Sequence, residues 1–176
     1  EEFFYMQLQL LLKNLQRKKK IRGFVFSKVG SAFNIFFKEH LPFNLTDAQK
    51  RVIKEIRNDL GSGRQMNRLL QGDVGSGKTI VALLIMLIAI DNGFQTSLVA
   101  PTEILAKQHY QSIIELLDGS HIKIKLLTGS TKFKDRKIIH HELESGELNI
   151  LVGTHAVLEE KVQFKNLGLS IIDEQH

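Results

Sequence analysis

The chain has 176 residues, 43% hydrophobic and 24% charged, which excludes a disordered or fibrous polymer and allows one domain with a core plus a short appendage. A net charge of +5 favours a polyanionic partner such as nucleic acid, although a charge run by itself is often only a solvated face. The absence of cysteine excludes disulfides and cysteine-based zinc sites and fits a reducing, cytoplasmic setting.

In chain order, residues 1–20 read as a helix. Phe4, Leu8, Leu11, Leu12 and Leu15 recur at three- and four-residue spacing, and Arg17-Lys18-Lys19-Lys20 complements the negative end of its dipole. The acidic start, Glu1-Glu2, is unlike the basic opening of a signal peptide, so none is expected. Residues 21–41 read as a connector whose Phe24, Phe26, Phe33, Phe36 and Phe37 pack on something. Thr46 with Gln49 three residues on has the form of a capping box, predicting a helix to about Leu60, broken at Gly61-Ser62-Gly63.

Beyond Asn67, strand and helix signals alternate. Strands are expected at Arg68–Gln71, Thr96–Ala100, Ile122–Leu127, Asn149–Val152 and Leu169–Ile172. Helices are expected at Lys78–Asn92, Thr102–Leu117 and Thr131–Glu144, while Val157–Phe164 is ambiguous. This alternation implies parallel βαβ units. The longest apolar run, Ile80–Ile90, has 11 residues; a bilayer span needs roughly 20, so it reads as a helix buried on most sides. On the third helix, Lys132, Lys134, Arg136 and Lys137 read as a solvated face, and the adjacent His140 and His141 point apart, which disfavours a shared metal.

The strongest motif is Gly72-Asp73-Val74-Gly75-Ser76-Gly77-Lys78-Thr79, which satisfies G-x-x-x-x-G-K-[ST]. Glycines let successive N–H groups turn inward around a phosphate, and the following helix adds its positive end. Lys78 then reaches the β- and γ-phosphates, and the Thr79 hydroxyl holds Mg²⁺.

The second motif closes the last predicted strand: Asp173-Glu174, 95 residues after Lys78. At about 30 residues per βαβ unit, three crossovers fit between, placing both motifs at the C-terminal edge of one parallel sheet. Charge divides the labour. Asp173 serves the metal, and Glu174 orients and deprotonates the attacking water.

Four stretches carry a family resemblance: Gly72–Thr79 (GDVGSGKT), Ala100–Tyr110 (APTEILAKQHY), Gly153–Leu158 (GTHAVL) and Asp173–His176 (DEQH). Together they resemble the first motor lobe of superfamily-two DNA helicases, and among these the branched-DNA helicases. Leu41–Ile53 resembles the segment just before that motor, and residues 1–40 more loosely resemble the helix and linker leading into it. The resemblance implies a RecA-like P-loop lobe of α/β type over 41–176, a mainly parallel sheet with helices on both faces, preceded by a helix and linker over 1–40.

It also implies ATP and Mg²⁺ as cofactors, branched DNA (forks, Holliday junctions) as partner, and ATP-driven translocation or unwinding in recombination and repair. Phe43 and Gln49 would contact the adenine, with Gln49 also free to complete the capping box. Pro101, Thr102, Thr128, Gly129, Thr154 and His155 match positions that touch the nucleic-acid backbone. Thr102 and Thr131 equally suit helix caps. Gln175 and His176 would belong to the ATPase motif.

Double-stranded DNA translocases of the transcription-repair coupling type share much of this pattern. A non-catalytic nucleotide-binding module is disfavoured by Glu174, and a small-molecule kinase by the APTEILA and GTHAVL stretches. Complete motors of this kind have a further strand, bearing a Ser/Thr-Ala-Thr motif, between the loop strand and the acidic strand, and a second lobe. Neither is among these residues, so an incomplete lobe of a longer protein is expected, without unwinding of its own.

Overall fold

The computed structural model describes residues 2–20, 22–41, 43–73 and 75–173. Among the described residues, six α-helices and four strands follow one another as α1 (Glu2–Lys20), α2 (Ser31–Ile35), α3 (Asp47–Gly61), α4 (Lys78–Asp91), β1 (Gln95–Val99), α5 (Glu103–Leu116), β2 (Ile124–Leu127), α6 (Phe133–Ser145), β3 (Ile150–Gly153) and β4 (Leu167–Ile172). A π-helical turn, Phe36–His40, prolongs α2, and a 3₁₀ turn, His155–Leu158, follows β3. No helix among the described residues is long and apolar enough to cross a membrane.

The strands form one parallel sheet in the order β2-β3-β1-β4. Alternating side chains along a strand point to opposite faces, and the cores divide accordingly. Leu98, Ile150 and Val152 join α3, α4 and α5 in the larger core. Their neighbours Val99 and Leu151 join Leu127, Ile139 and Leu143 of α6 and Val157 of the 3₁₀ turn in the smaller one. A sheet covered on both faces is the expected α/β arrangement. Helix α4 packs against α2, α3, β1 and β4. Ile80, Val81 and Leu83–Ala89 are all buried, which explains why its sequence shows no polar face.

One expected strand does not form. Gln65–Asp73 is irregular, and Arg68–Gln71 joins no ladder. A strand needs a neighbour for its backbone groups, yet β4 pairs only with β1 among the described residues. Arg68 is instead drawn onto α3, its guanidinium donating to Asp59 at 2.7 and 2.9 Å and to Glu55 at 2.8 Å. Leu69 is exposed, whereas Leu70 and Met66 pack on the core.

The connector is also more ordered than its weak periodicity suggests. Phe26 and Phe36 are buried, Phe33 packs against the core, and Phe24 lies against Phe94 with ring centres 4.6 Å apart. Helix α2 is capped from a distance. The Asp91 carboxylate, at the end of α4, accepts from the backbone N–H groups of Gly30, Ala32 and Phe33 at 2.9–3.1 Å. That carboxylate satisfies the donors every helix start leaves open.

In α1, Phe4, Leu8, Leu11 and Leu12 are exposed; the side chains of Leu15 and of Arg17 to Lys20 lie outside the described residues. The remaining helices and strands match their expected positions to within two residues at each end. Helix α6 starts after Lys132, not after Thr131, because the Thr131 hydroxyl is already accepting from the Thr128 N–H at 2.9 Å.

Candidate nucleotide and nucleic-acid site

The phosphate loop is built from both of its ends. Thr46 and Gln49 form the capping box of α3, with Gln49 N donating to Thr46 Oγ1 at 3.2 Å and Thr46 N to Gln49 Oε1 at 2.9 Å. The box fixes the Gln49 amide, whose nitrogen donates to the Ser76 carbonyl inside the loop at 2.9 Å. Gly77, at the cap of α4, has φ +77°, and a Cβ there would collide with the Gln49 amide. Glycine is therefore demanded twice, by backbone angle and by space. Gly75 also takes a positive φ of +78°. Lys78 folds over the loop, its ammonium donating to the carbonyls of Gly72 at 2.8 Å and Asp73 at 2.9 Å. An ammonium has three donors, so one remains for a ligand. Thr79 lies in the first turn of α4, half-buried. Phe43 is 48% exposed. Val74, Glu174, Gln175 and His176 lie outside the described residues.

A second feature follows from strand register. Leu127, Gly153, Val99 and Ile172 stand side by side across the sheet. The residues that follow them therefore leave one edge in a row: Thr128-Gly129, Thr154-His155, Ala100-Pro101-Thr102 and Asp173. Three segments flagged for nucleic-acid contact and one flagged for the metal are thus brought together by four aligned strand ends, the edge where parallel α/β sheets bind ligands. Pro101, Thr102, Gly129 and His155 are exposed, while Thr128 and Thr154 are buried. Thr102 also caps α5, accepting from Leu105 N at 3.3 Å. Gly153 is required by packing: a Cβ would run into the Leu127 carbonyl and the Val157 side chain.

Side chains given no site role by the sequence lock these loops together. Glu103 accepts from Ser130 N at 3.1 Å and Ser130 Oγ at 2.8 Å, joining the loop after β1 to the loop after β2. These hydrogen bonds, the hydroxyl's first, hold its carboxyl below the usual carboxylate range. Arg136, read as part of a solvated face, is half-buried and donates to the Thr128 carbonyl at 3.1 Å and to Glu159 at 2.9 Å. It thereby joins the loop after β2 to the turn after β3. Lys137, by contrast, sits over the exposed Phe133 ring, 4.6 Å from its centre.

Asp173 is held at two points. Its N–H donates to the Val99 carbonyl at 2.8 Å, and its Oδ2 lies 2.7 Å from His109 Nε2 of α5. Sequence gave no sign of that pairing, because the partners are 64 positions apart and meet only through the order of the strands.

A glycine loop opening a buried helix, beside a parallel sheet whose strand ends line up a carboxylate and three loops, defines the nucleotide-binding lobe of a P-loop NTPase. The profile of the DEAD/DEAH box helicases matches residues 46–176, and the chain belongs to that family. Membership implies use of a nucleotide, ATP. The chain is 47% identical over 176 residues to the ATP-dependent DNA helicase RecG of Synechocystis sp. and 49% identical over the same length to RecG of Aquifex aeolicus. Both alignments take in the whole of this chain, which spans about a fifth of those relatives, 21% and 22% of their lengths.

Among solved structures, RecG bound to a three-way DNA junction superposes with a TM-score of 0.86 at 48% identity, over 93% of this chain and 22% of that one. The UvsW helicase of bacteriophage T4, at 18% identity and a TM-score of 0.56 over 92% of this chain and 49% of that one, shares the fold.

Proposed function

We propose that this lobe is the ATP-binding half of a RecG-type motor that drives branched DNA through ATP hydrolysis in recombination and repair. The carrying observation is the register row, which sets three loops beside the carboxylate of Asp173 on one sheet edge. The resemblance to RecG, one of whose structures holds a three-way DNA junction, supports the choice of partner.

Lys78 binds the β- and γ-phosphates, and the amides of Gly75 to Thr79 surround them. Gln49 and Phe43 receive the adenine, with Gln49 doing so while still anchoring Ser76. A hydroxyl at Thr79 and a carboxylate at Asp173 are hard oxygen donors, the set that suits Mg²⁺. The described residues hold no cluster of three His, Cys, Asp or Glu that would favour another metal. When bound, the magnesium ion neutralises charge on the transferring phosphate. Glu174, and Gln175 beside it, act on the attacking water. Pro101, Thr102, Gly129 and His155 are exposed on these loops toward the DNA backbone, with the buried Thr128 and Thr154 beneath them, and small donors on loops position a strand without reading its sequence.

The reading is tested by ATP turnover of the full-length protein with and without a synthetic three-way junction. Strong stimulation by the junction that weakens steeply with added salt, as counterion release requires, supports it. Turnover indifferent to DNA at every salt concentration would remove the motor from the account.

A further inference from the structure

Asp173 follows the last residue of β4, a strand that pairs on one side only among the described residues. Its main chain is tied to β1, but that bond leaves the side chain free to rotate. The rotation is stopped by His109. This residue projects from α5, two turns after the Thr102 cap, and its ring nitrogen Nε2 lies 2.7 Å from Oδ2. Both side chains are largely shielded, 17% and 27% exposed, so water competes little for the contact. A carboxylate only accepts, so the proton is on Nε2 and His109 donates. One oxygen of Asp173 is thus committed to α5 while Oδ1 remains for another partner.

We propose that His109 is a positioning residue for the metal-facing carboxylate: by donating to Oδ2 of Asp173 it sets the angle at which Oδ1 is presented to a nucleotide-bound divalent cation. The proposal rests on the assignment of Asp173 to the metal. Partners of this kind orient ligands and raise their basicity, and their loss typically costs 10–100-fold in metal affinity. The same helix begins at Thr102 and carries Glu103, which grips Ser130 of the next loop. The carboxylate is therefore held by the helix that also clamps the loop after β2.

The test is the affinity of Mn²⁺ for the ADP complex of the full-length protein, read by electron paramagnetic resonance, with ADP affinity in chelator as the control. Two variants of similar polarity separate positioning from mere packing. His109→Gln brings an amide nitrogen to the place of Nε2, whereas His109→Asn brings one only to the place of Nδ1. The expected result is near-wild-type Mn²⁺ affinity for His109→Gln and a loss of about 10–100-fold for His109→Asn, with metal-free ADP affinity unchanged in both. Equal metal affinity in the two variants would overturn the proposal. Asp173→Asn distinguishes the failures. If it lowers Mn²⁺ affinity while the two His109 variants do not differ, only the role of His109 is wrong. If it leaves Mn²⁺ affinity unchanged, the assignment of Asp173 to the metal fails, and the role of His109 with it.

Discussion

The loop at 72–77 and the loops that leave β1, β2 and β3 are held in different ways. In the first the anchored atoms are the loop's own backbone: Ser76 N donates to Asp73 O at 3.1 Å, and the side chains of Gln49 and Lys78 donate to the carbonyls of Ser76, Gly72 and Asp73. The others are fixed through side chains, by Glu103 onto Ser130 and by Arg136 onto Thr128 and Glu159. A loop whose own N–H groups are to receive phosphates needs those groups aimed inward, and glycine with helix-start geometry achieves this while Gln49 and Lys78 hold the carbonyls. On the proposed reading the loop surface receives a long, regular polyanion, which needs several loops at fixed spacing, and side-chain clamps between strand ends supply that. One region is recognisable as a motif within eight residues; the other carries no such motif and rests on pairs such as Glu103–Ser130 and Arg136–Glu159, 27 and 23 positions apart.

The contrast is broken most severely at Lys78. Lys78→Ala in the full-length protein should lower ATP turnover by about 10²–10³-fold or more, the scale of losing a charge donor at the transferring group. DNA binding should be largely kept, as gel-shift titration would show, because the other loops do not depend on it. Next in size is Gly153→Ala at the row of strand ends. Its methyl would press on the Leu127 carbonyl and the Val157 side chain, and overpacking of this kind costs about 1–3 kcal/mol in chemical denaturation.

Thr46→Ala removes the capping box, and with it the anchor of Gln49. A loss of about 1 kcal/mol in stability is expected, together with weaker ATP binding by calorimetry. The smallest effect is at Glu103. Its folded carboxyl is held below the usual range, so the stability it lends is present above the ordinary pKa of about 4.3. That stability is lost as pH falls through the lowered folded value. The stability difference between wild type and Glu103→Gln should therefore be steady above about pH 5 and narrow as the pH falls below about 4 in denaturant titrations.

Much of this was legible in the chain itself. The phosphate loop, the Thr46–Gln49 box and the buried α4 are local patterns, and each is found where its pattern lies. Counting crossovers placed Asp173 at the C-terminal edge of the parallel sheet, where it is found, but the strand expected to bring the phosphate loop to the same sheet does not form. Arg68–Gln71 failed as a strand because apolar alternation says nothing about whether a neighbouring strand is present, and the ion pairs of Arg68 with α3 drew it elsewhere. Arg136 and His109 were misread or passed over for a related reason. A charge on a helix and a lone histidine carry no mark of the distant carbonyl or carboxylate they meet.

The central claim is that backbone amides at the start of α4 enclose the nucleotide phosphates, and amide hydrogen exchange of the full-length protein with and without Mg·ADP tests it most directly. Protection should concentrate at Gly75–Thr79, extending to Asp173. A cleft of about 670 Å³ lies elsewhere, between the connector and α3, lined by Phe26, Phe33, Lys54 and Arg57. Protection confined to that cleft, with exchange at Gly75–Thr79 unchanged, would contradict the account.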